Sequence, residues 1–202
     1  MPNRRASTLA ERRYADVRFS IATAARALFL ENNSTSVTVD AIAQRAGVSV
    51  RTFHRHFAAK EDVVSPLFER SAASLIEQFE ACPGGNDVTA VLVGALTAEL
   101  ADDASGWREL LQLLMASPEY RLRWEYTEDR LIDSLADLLA RSSIYADDRF
   151  LRRLVAQMIF TASRAAYMEW LFGAEQPRVE DLRALHIHAL TPLIEGWRPR
   201  RA

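Results

Sequence analysis

The chain has 202 residues, 26% of them charged and 49% hydrophobic, with a formal net charge of −2. That length allows one domain, or a small one joined to a larger one, and the apolar share is enough to fill a core. A single cysteine, Cys82, excludes an internal disulfide framework, and no run approaches the roughly 18 apolar residues of a membrane span. The opening MPNRRASTLAERRYADVRF carries charges throughout and has no apolar core, unlike a secretory signal. A reducing cytoplasm is the expected location.

The near-neutral total hides an asymmetry. Residues 1–60 hold ten cations (Arg4, Arg5, Arg12, Arg13, Arg18, Arg26, Arg45, Arg51, Arg55 and Lys60) against four acids (Glu11, Asp16, Glu31 and Asp40), a net of +6; with −2 for the whole chain, the remainder carries −8. A basic first third on an acidic body suits a protein one end of which meets a polyanion.

Helical periodicity dominates, and no alternating strand pattern bounded by turns is present. The seven glycines and seven prolines fall mostly at breaks, leaving segments of helical length between them. The first segment, about 11–32, sets Phe19, Ala22, Ala25, Ala27, Leu28 and Phe29 along one side, and NNSTSV ends it. Thr38 has the chemistry of an N-cap, and Asp40 suits the first turn of a short helix over about 39–46. Gly47 follows, where a left-handed residue can close the helix. Ser49 caps a second short helix running to about Phe57. One longer helix is expected from Lys60 to about Ala81, broken by CPGGND. Further helices are expected at about 87–101, 106–116, 118–141, 147–172 and 178–197.

Two short helices, small residues at their crossing and a glycine in the turn form a helix-turn-helix. The expected buried set is Ile42, Ala43, Val48, Phe53 and Phe57. That leaves Val50, Arg51, Thr52, His54, Arg55 and His56 on or near the open side. A helix fits the major groove of duplex DNA, and its N-terminal residues meet base edges. Arg51 suits a bidentate bond to guanine. Lys60 and Thr38 are placed to hold phosphates, and Val39 and Ser49 join the candidate DNA-binding set. Taken singly, the two arginines fit solvated charges and the two histidines fit ordinary surface residues. It is their common register on one capped helix that favours DNA.

The segment VTVDAIAQRAGVSVRTFHRHFAAKEDVV (37–64) resembles the DNA-binding domain of TetR-family transcriptional regulators, with the likeness extending over about residues 15–68. The family's run of a Thr, an Ile-Ala pair, Ala-Gly-Val-Ser, a Thr, an aromatic pair, a Phe and Lys-Glu is met by Thr38, Ile42-Ala43, Ala46-Gly47-Val48-Ser49, Thr52, Phe53-His54, Phe57 and Lys60-Glu61. The departure is His54, where the family usually has a tyrosine that contacts the phosphate backbone. Imidazole still offers an N–H donor, and a charge if protonated, which would make binding more sensitive to pH.

The resemblance implies an all-α homodimer of about nine helices. An N-terminal arm and a three-helix helix-turn-helix DNA-binding domain would occupy residues 1–60, and a helical ligand-binding and dimerisation domain residues 61–202. It implies a small-molecule effector and a double-stranded DNA operator as partners, with no cofactor and no membrane. It also implies a four-helix dimer interface from the last two helices, for which the candidates are Phe150, Leu154, Trp170, Leu171, Leu190, Ile194 and Trp197. Internal packing is the alternative for these residues. Candidate effector-pocket residues are Phe68, Phe79, Leu96, Trp107, Leu111, Met115, Trp124, Met158, Thr161, Arg164, Tyr167 and Met168, a set that would suit a flexible apolar ligand; ordinary core is the alternative for each. Arg164 either meets an anionic head group or pairs with a helix carboxylate such as Glu128. The run LLMASPEYRLRWEYTEDRLIDSLADLLA (113–140) is similar to a subgroup thought to accommodate acyl-CoA-like ligands.

Other function classes leave little trace. The sequence has no Gly-x-Ser-x-Gly, no His-Glu-x-x-His and no phosphate-cradling glycine loop. His186 and His188, two apart on a helix, point to different sides and do not share a metal simply. No catalytic or metal-binding residue is therefore expected. Cys82 has no second thiol to resolve an oxidised form, so it is read as incidental rather than a redox sensor. A regulator working without a small molecule, a helical adaptor with a basic docking end, and a helical-bundle enzyme remain the rival readings.

Overall fold

The computed structural model describes residues 8–82, 87–102, 104–144, 146–173 and 178–196. Among them are nine α-helices, one 3-10 turn and no strand. In order they are α1 (Leu9–Asn32), α2 (Val39–Arg45), α3 (Val50–His56), the 3-10 turn Lys60–Val64, α4 (Ser65–Ala81), α5 (Val88–Asp102), α6 (Ala104–Met115), α7 (Pro118–Arg141), α8 (Arg149–Phe172) and α9 (Val179–Gly196). The all-α architecture expected from the periodicity is the one observed.

Helix ends follow from local chemistry. α1 opens on a capping box: the Thr8 N–H donates to Glu11 Oε2 at 2.7 Å, and the Glu11 N–H to Thr8 Oγ1 at 3.2 Å. It starts two residues before the predicted 11, because the Thr-x-x-Glu signature at 8–11 outweighs the scarcity of apolar residues there. It closes on Asn33, left-handed with φ 47°, whose neighbour Ser34 returns its N–H to Phe29 O at 3.0 Å. Thr38 and Ser49 cap α2 and α3 as expected, accepting from the N–H groups of Ala41 and Thr52. Between them Gly47 takes φ 68°, and the Val48 N–H reaches Ala43 O at 2.9 Å. A β-carbon there would meet no atom within 4 Å, so the backbone angle is what demands glycine.

The single helix predicted from Lys60 to Ala81 is instead a 3-10 turn followed by α4. The reason is Pro66. An α-helix through it would need its absent N–H to bond Asp62 O, with the ring pressing on that carbonyl. Here Ser65 N–H bonds Asp62 O in its place, and the proline sits in the first turn of α4, where it is tolerated.

The helices group into two compact units. One comprises residues up to Arg70 together with Leu113–Trp124, and the other Ser71–Gln112 and Glu125 onward. The first is called the head here and the second the body; α4, α6 and α7 contribute residues to both. The head buries Ile21, Ala22, Ala25 and Phe29 of α1 with Ile42, Ala43, Phe53, Phe57 and Val63. A two-point Arg45–Glu31 pair, 2.8 and 2.5 Å, ties α2 to α1. The body closes over one apolar cluster that includes Phe79, Leu92, Leu96, Leu135, Leu139, Ile159, Leu190 and Ile194.

That packing corrects part of the dimer set. Trp170, Leu171, Leu190 and Ile194 are buried in the chain's own core, and the Trp170 indole N–H donates to Arg178 O at 2.8 Å. They are large apolar groups on the inward faces of α8 and α9, filled by their own chain. Phe150 is 73% exposed, Leu154 is half-buried, and Trp197 lies outside the described residues.

Candidate nucleic-acid interface

The seven residues of α3 sort by helical period. Phe53 and His56, at i and i+3, turn inward, and the C-cap residue Phe57 that follows is buried as well. Val50 and His54 form one exposed row and Arg51 and Arg55 a second, each pair one turn apart. The predicted readers Val50, Arg51, His54 and Arg55 thus share a solvent-facing side. Thr52 is half-buried and its hydroxyl is 2.9 Å from Ser49 Oγ, which also accepts the Thr52 N–H at 3.0 Å. This pair stiffens the start of α3 and engages both hydroxyls in the cap. Thr38 is exposed and Val39 half-buried at the start of α2.

His56 departs from the expectation of an open-side residue. It is 8% exposed and its ring packs on Tyr14 of α1 at a centroid distance of 4.4 Å. Burial, then the charges of Arg55 and Arg18, push its pKa below the ordinary imidazole value. The three-residue spacing from Phe53 carries the signal: a residue at that interval from a buried aromatic falls on the buried side. Beside it, the Arg18 guanidinium lies 5.3 Å from the centre of the Phe57 ring.

Lys60 stands at the opening of the 3-10 turn, half-buried, with Nζ donating to Thr35 O at 3.1 Å. Its ammonium has three donors, so that bond leaves others for a phosphate.

The predicted pocket set divides. Phe68, Met115 and Trp124 fall in the head, where the Phe68 and Trp124 rings stack at 6.4 Å. Phe79, Leu96, Trp107, Leu111, Met158, Thr161, Arg164, Tyr167 and Met168 fall in the body. There Tyr167 and Leu96 are brought together, the phenol donating to the Leu96 carbonyl. Thr161 does not join an interior pocket: it is exposed, and its hydroxyl bonds back to Gln157 O at 3.0 Å. Arg164 is held by Glu125 at 2.6 Å and Glu128 at 3.0 Å, the carboxylate pairing foreseen as one of its two roles. Burial raises the Glu128 pKa to about 7, against the pull of Arg164. Among the described residues no group of histidine, cysteine and acidic side chains is arranged to hold a metal, and no helix is long and apolar enough to cross a membrane.

Comparison with known proteins places these features. Residues 21–66 match the family model for bacterial regulatory proteins of the tetR family. The regulator TcmR of Streptomyces glaucescens, described as an HTH-type transcriptional regulator, is 28% identical over 95% of this chain and 87% of its own. The fold matches that of Thermus thermophilus FadR, a transcriptional repressor solved with lauroyl-CoA, with a TM-score of 0.66 at 22% identity over 92% of this chain and 97% of that one. It also matches Bacillus subtilis FadR solved with stearoyl-CoA, with a TM-score of 0.64 at 24% identity over 88% and 98%.

Proposed function

We propose that this chain is a transcriptional regulator of the TetR family, a repressor that binds a palindromic operator as a homodimer and is released by a largely apolar small molecule. The observation that carries the DNA half of this reading is the pair of exposed rows on α3. Val50 suits the methyl group of a thymine, Arg51 a guanine edge, and His54 and Arg55 the flanking bases or phosphates. Lys60 supplies a phosphate contact. In functional terms residues up to 60 read DNA and residues 61–202 respond and pair.

The homodimer rests on what α8 and α9 leave uncovered. Along α8 the outward stripe is Phe150, Leu154, Thr161, Ala165 and Phe172; along α9 it is Ala184, Ile187 and His188. Bulky ends around a small-residue centre let two copies approach closely, and Phe150, Phe172 and Ile187 are exposed in the single chain. A homodimer brings two α3 helices to one operator, whose half-sites would lie about 34–36 Å apart or a multiple of that.

The effector is proposed to bind among the body's aromatic and aliphatic side chains. Acyl-CoA is the first class to test, because two proteins of this fold were solved with acyl-CoA bound. Arg164 is spoken for by two carboxylates, so an anionic head group is not assigned to it. For the effector to release DNA, it must bind the DNA-incompetent state more tightly. Selection of bound DNA from a random pool, followed by titration of the complex with lauroyl-CoA and stearoyl-CoA, tests both halves. An enriched inverted repeat released by either compound supports the reading; a repeat that neither compound releases leaves a regulator without this effector class.

A further inference from the structure

We propose that Arg123, in the first turns of α7, is a positioning residue for operator binding: it fixes the short stretch that presents Lys60. This rests on the phosphate role proposed above for Lys60. Arg123 Nε and Nη2 both bond Asp62 Oδ1, at 3.0 and 2.8 Å. The other oxygen of the same carboxylate, Oδ2, accepts the Ala59 N–H at 2.9 Å. Lys60 lies between those two residues, so its backbone is clamped by a carboxylate that Arg123 orients.

The same helix start also reaches the other side of the lysine. Lys60 Nζ rests on Thr35 O, and the Thr35 hydroxyl is 3.2 Å from Ser117 Oγ, the residue before Pro118 opens α7. An apolar base completes the joint, with Tyr120 edge-on to Phe29 at 5.8 Å. All of these residues belong to the head, in which Leu113–Trp124 is grouped with residues up to Arg70.

The chemistry explains why such a clamp matters. Lysine is a compact charge on a flexible stem, so the rooting of that stem decides which phosphate it reaches. Arginine, by contrast, delivers two donors in a fixed fork and holds a carboxylate in one orientation. Lys60 is also the only lysine in the chain, and no second lysine stands in for it.

The test is a salt series of affinities for operator and random duplex, on the whole chain. The variants are Lys60→Ala, Arg123→Gln, Arg123→Lys, Asp62→Asn, the Lys60→Ala/Arg123→Gln double, and Arg130→Gln as an exposed guanidinium elsewhere on α7. Lys60→Ala is expected to lower the slope of log affinity on log salt by about 0.9. Arg123→Gln is expected to lower it nearly as much and to weaken every sequence about threefold to tenfold. The double variant is expected to resemble Lys60→Ala alone, since the two act on one contact. Asp62→Asn, which keeps an acceptor for the Ala59 N–H, should follow Arg123→Gln, and Arg130→Gln should leave the slope unchanged. Arg123→Lys, which keeps the charge and loses the fork, should lower the slope in part, and decides the matter if the glutamine variant does not fold. Thermal melts run alongside. A lowered melting point with an unchanged slope in both Arg123 variants makes Arg123 merely structural and overturns the proposal. An unchanged slope in Lys60→Ala removes the phosphate reading itself, and the proposal with it.

Discussion

The head and the body each bury a histidine, and each treats it differently. His56 in the head packs against Tyr14, and neither of its ring nitrogens has a hydrogen-bond partner among the described residues. His186 in the body is fully buried with both nitrogens engaged. Its Nδ1 faces Leu182 O at 3.0 Å and must carry the proton, so Nε2 accepts from the Ser163 hydroxyl at 2.9 Å. In the head, caps on the short helices α2 and α3 do part of the polar work, and His56 serves as a ring. In the body, polar bonds run between helices far apart in sequence, such as Gln112 to Leu171 O, Arg141 to Phe79 O and Ser163 to His186. Bonds between residues distant in sequence tie the head too, as Arg123 to Asp62 and Lys60 to Thr35 O; what sets the head apart is the run of side-chain caps on its short helices.

The comparison breaks most visibly at the two cores. Phe53→Ala in the head and Trp170→Ala in the body each remove a fully enclosed aromatic, and each should cost about 3–5 kcal/mol in denaturant unfolding. A cost under about 1 kcal/mol at either site would contradict the packing described.

A second test addresses two buried titratable groups, both in the body. Burial lowers His186 from its ordinary 6.5 to about 4, so its contribution to stability is whole above pH 6.5 and falls away as pH drops toward 4. Burial raises Glu128 from 4.5 to about 7, so its contribution is whole below pH 4.5 and falls away as pH rises toward 7. The two oppose each other over the shared range. Glu128→Gln removes one side. Measured against the unaltered chain, the variant should gain on the order of 3 kcal/mol between pH 4.5 and 7, since each tenfold change in proton affinity is worth about 1.36 kcal/mol. A difference flat across that window contradicts the buried carboxyl.

Smaller effects test the head's reading face and its helix-turn-helix turn. Arg51→Ala should forfeit roughly 1–3 kcal/mol of base discrimination while retaining most binding to random duplex. Gly47→Ala should cost about 1 kcal/mol in thermal unfolding, because the chain must keep a left-handed residue in the helix-turn-helix. An alanine variant as stable as the parent would mean that the turn relaxes freely.

How much could be read from the sequence follows the sequence range of each interaction. Thr38, Ser49 and Gly47 were legible because each acts within a few residues of itself, and so were the exposed Arg51 and His54. Two head features are equally local and still escape a reading by periodicity: Pro66, which splits the predicted helix at Lys60, and the spacing that buries His56. In the body the helices were legible from their periodicity, with α8 and α9 placed within two residues. Their inward and outward faces were not, since Trp170 and Phe150 are both large aromatics on one helix. Only the partners supplied by other helices bury the first and leave the second bare. The two-point bond of Arg123 to Asp62, 61 residues away, has no local signature at all.

The central claim is that the exposed side of α3 reads bases and that two such helices act at a fixed separation. Selection of bound duplexes from a random pool, run in parallel with the unaltered chain and Arg51→Ala, tests it most directly. The account predicts an inverted repeat with half-sites about one helical turn apart or a multiple of it, and loss of a guanine preference in the variant. Enrichment of no sequence by the unaltered chain, or the same sequence enriched by both, would contradict it.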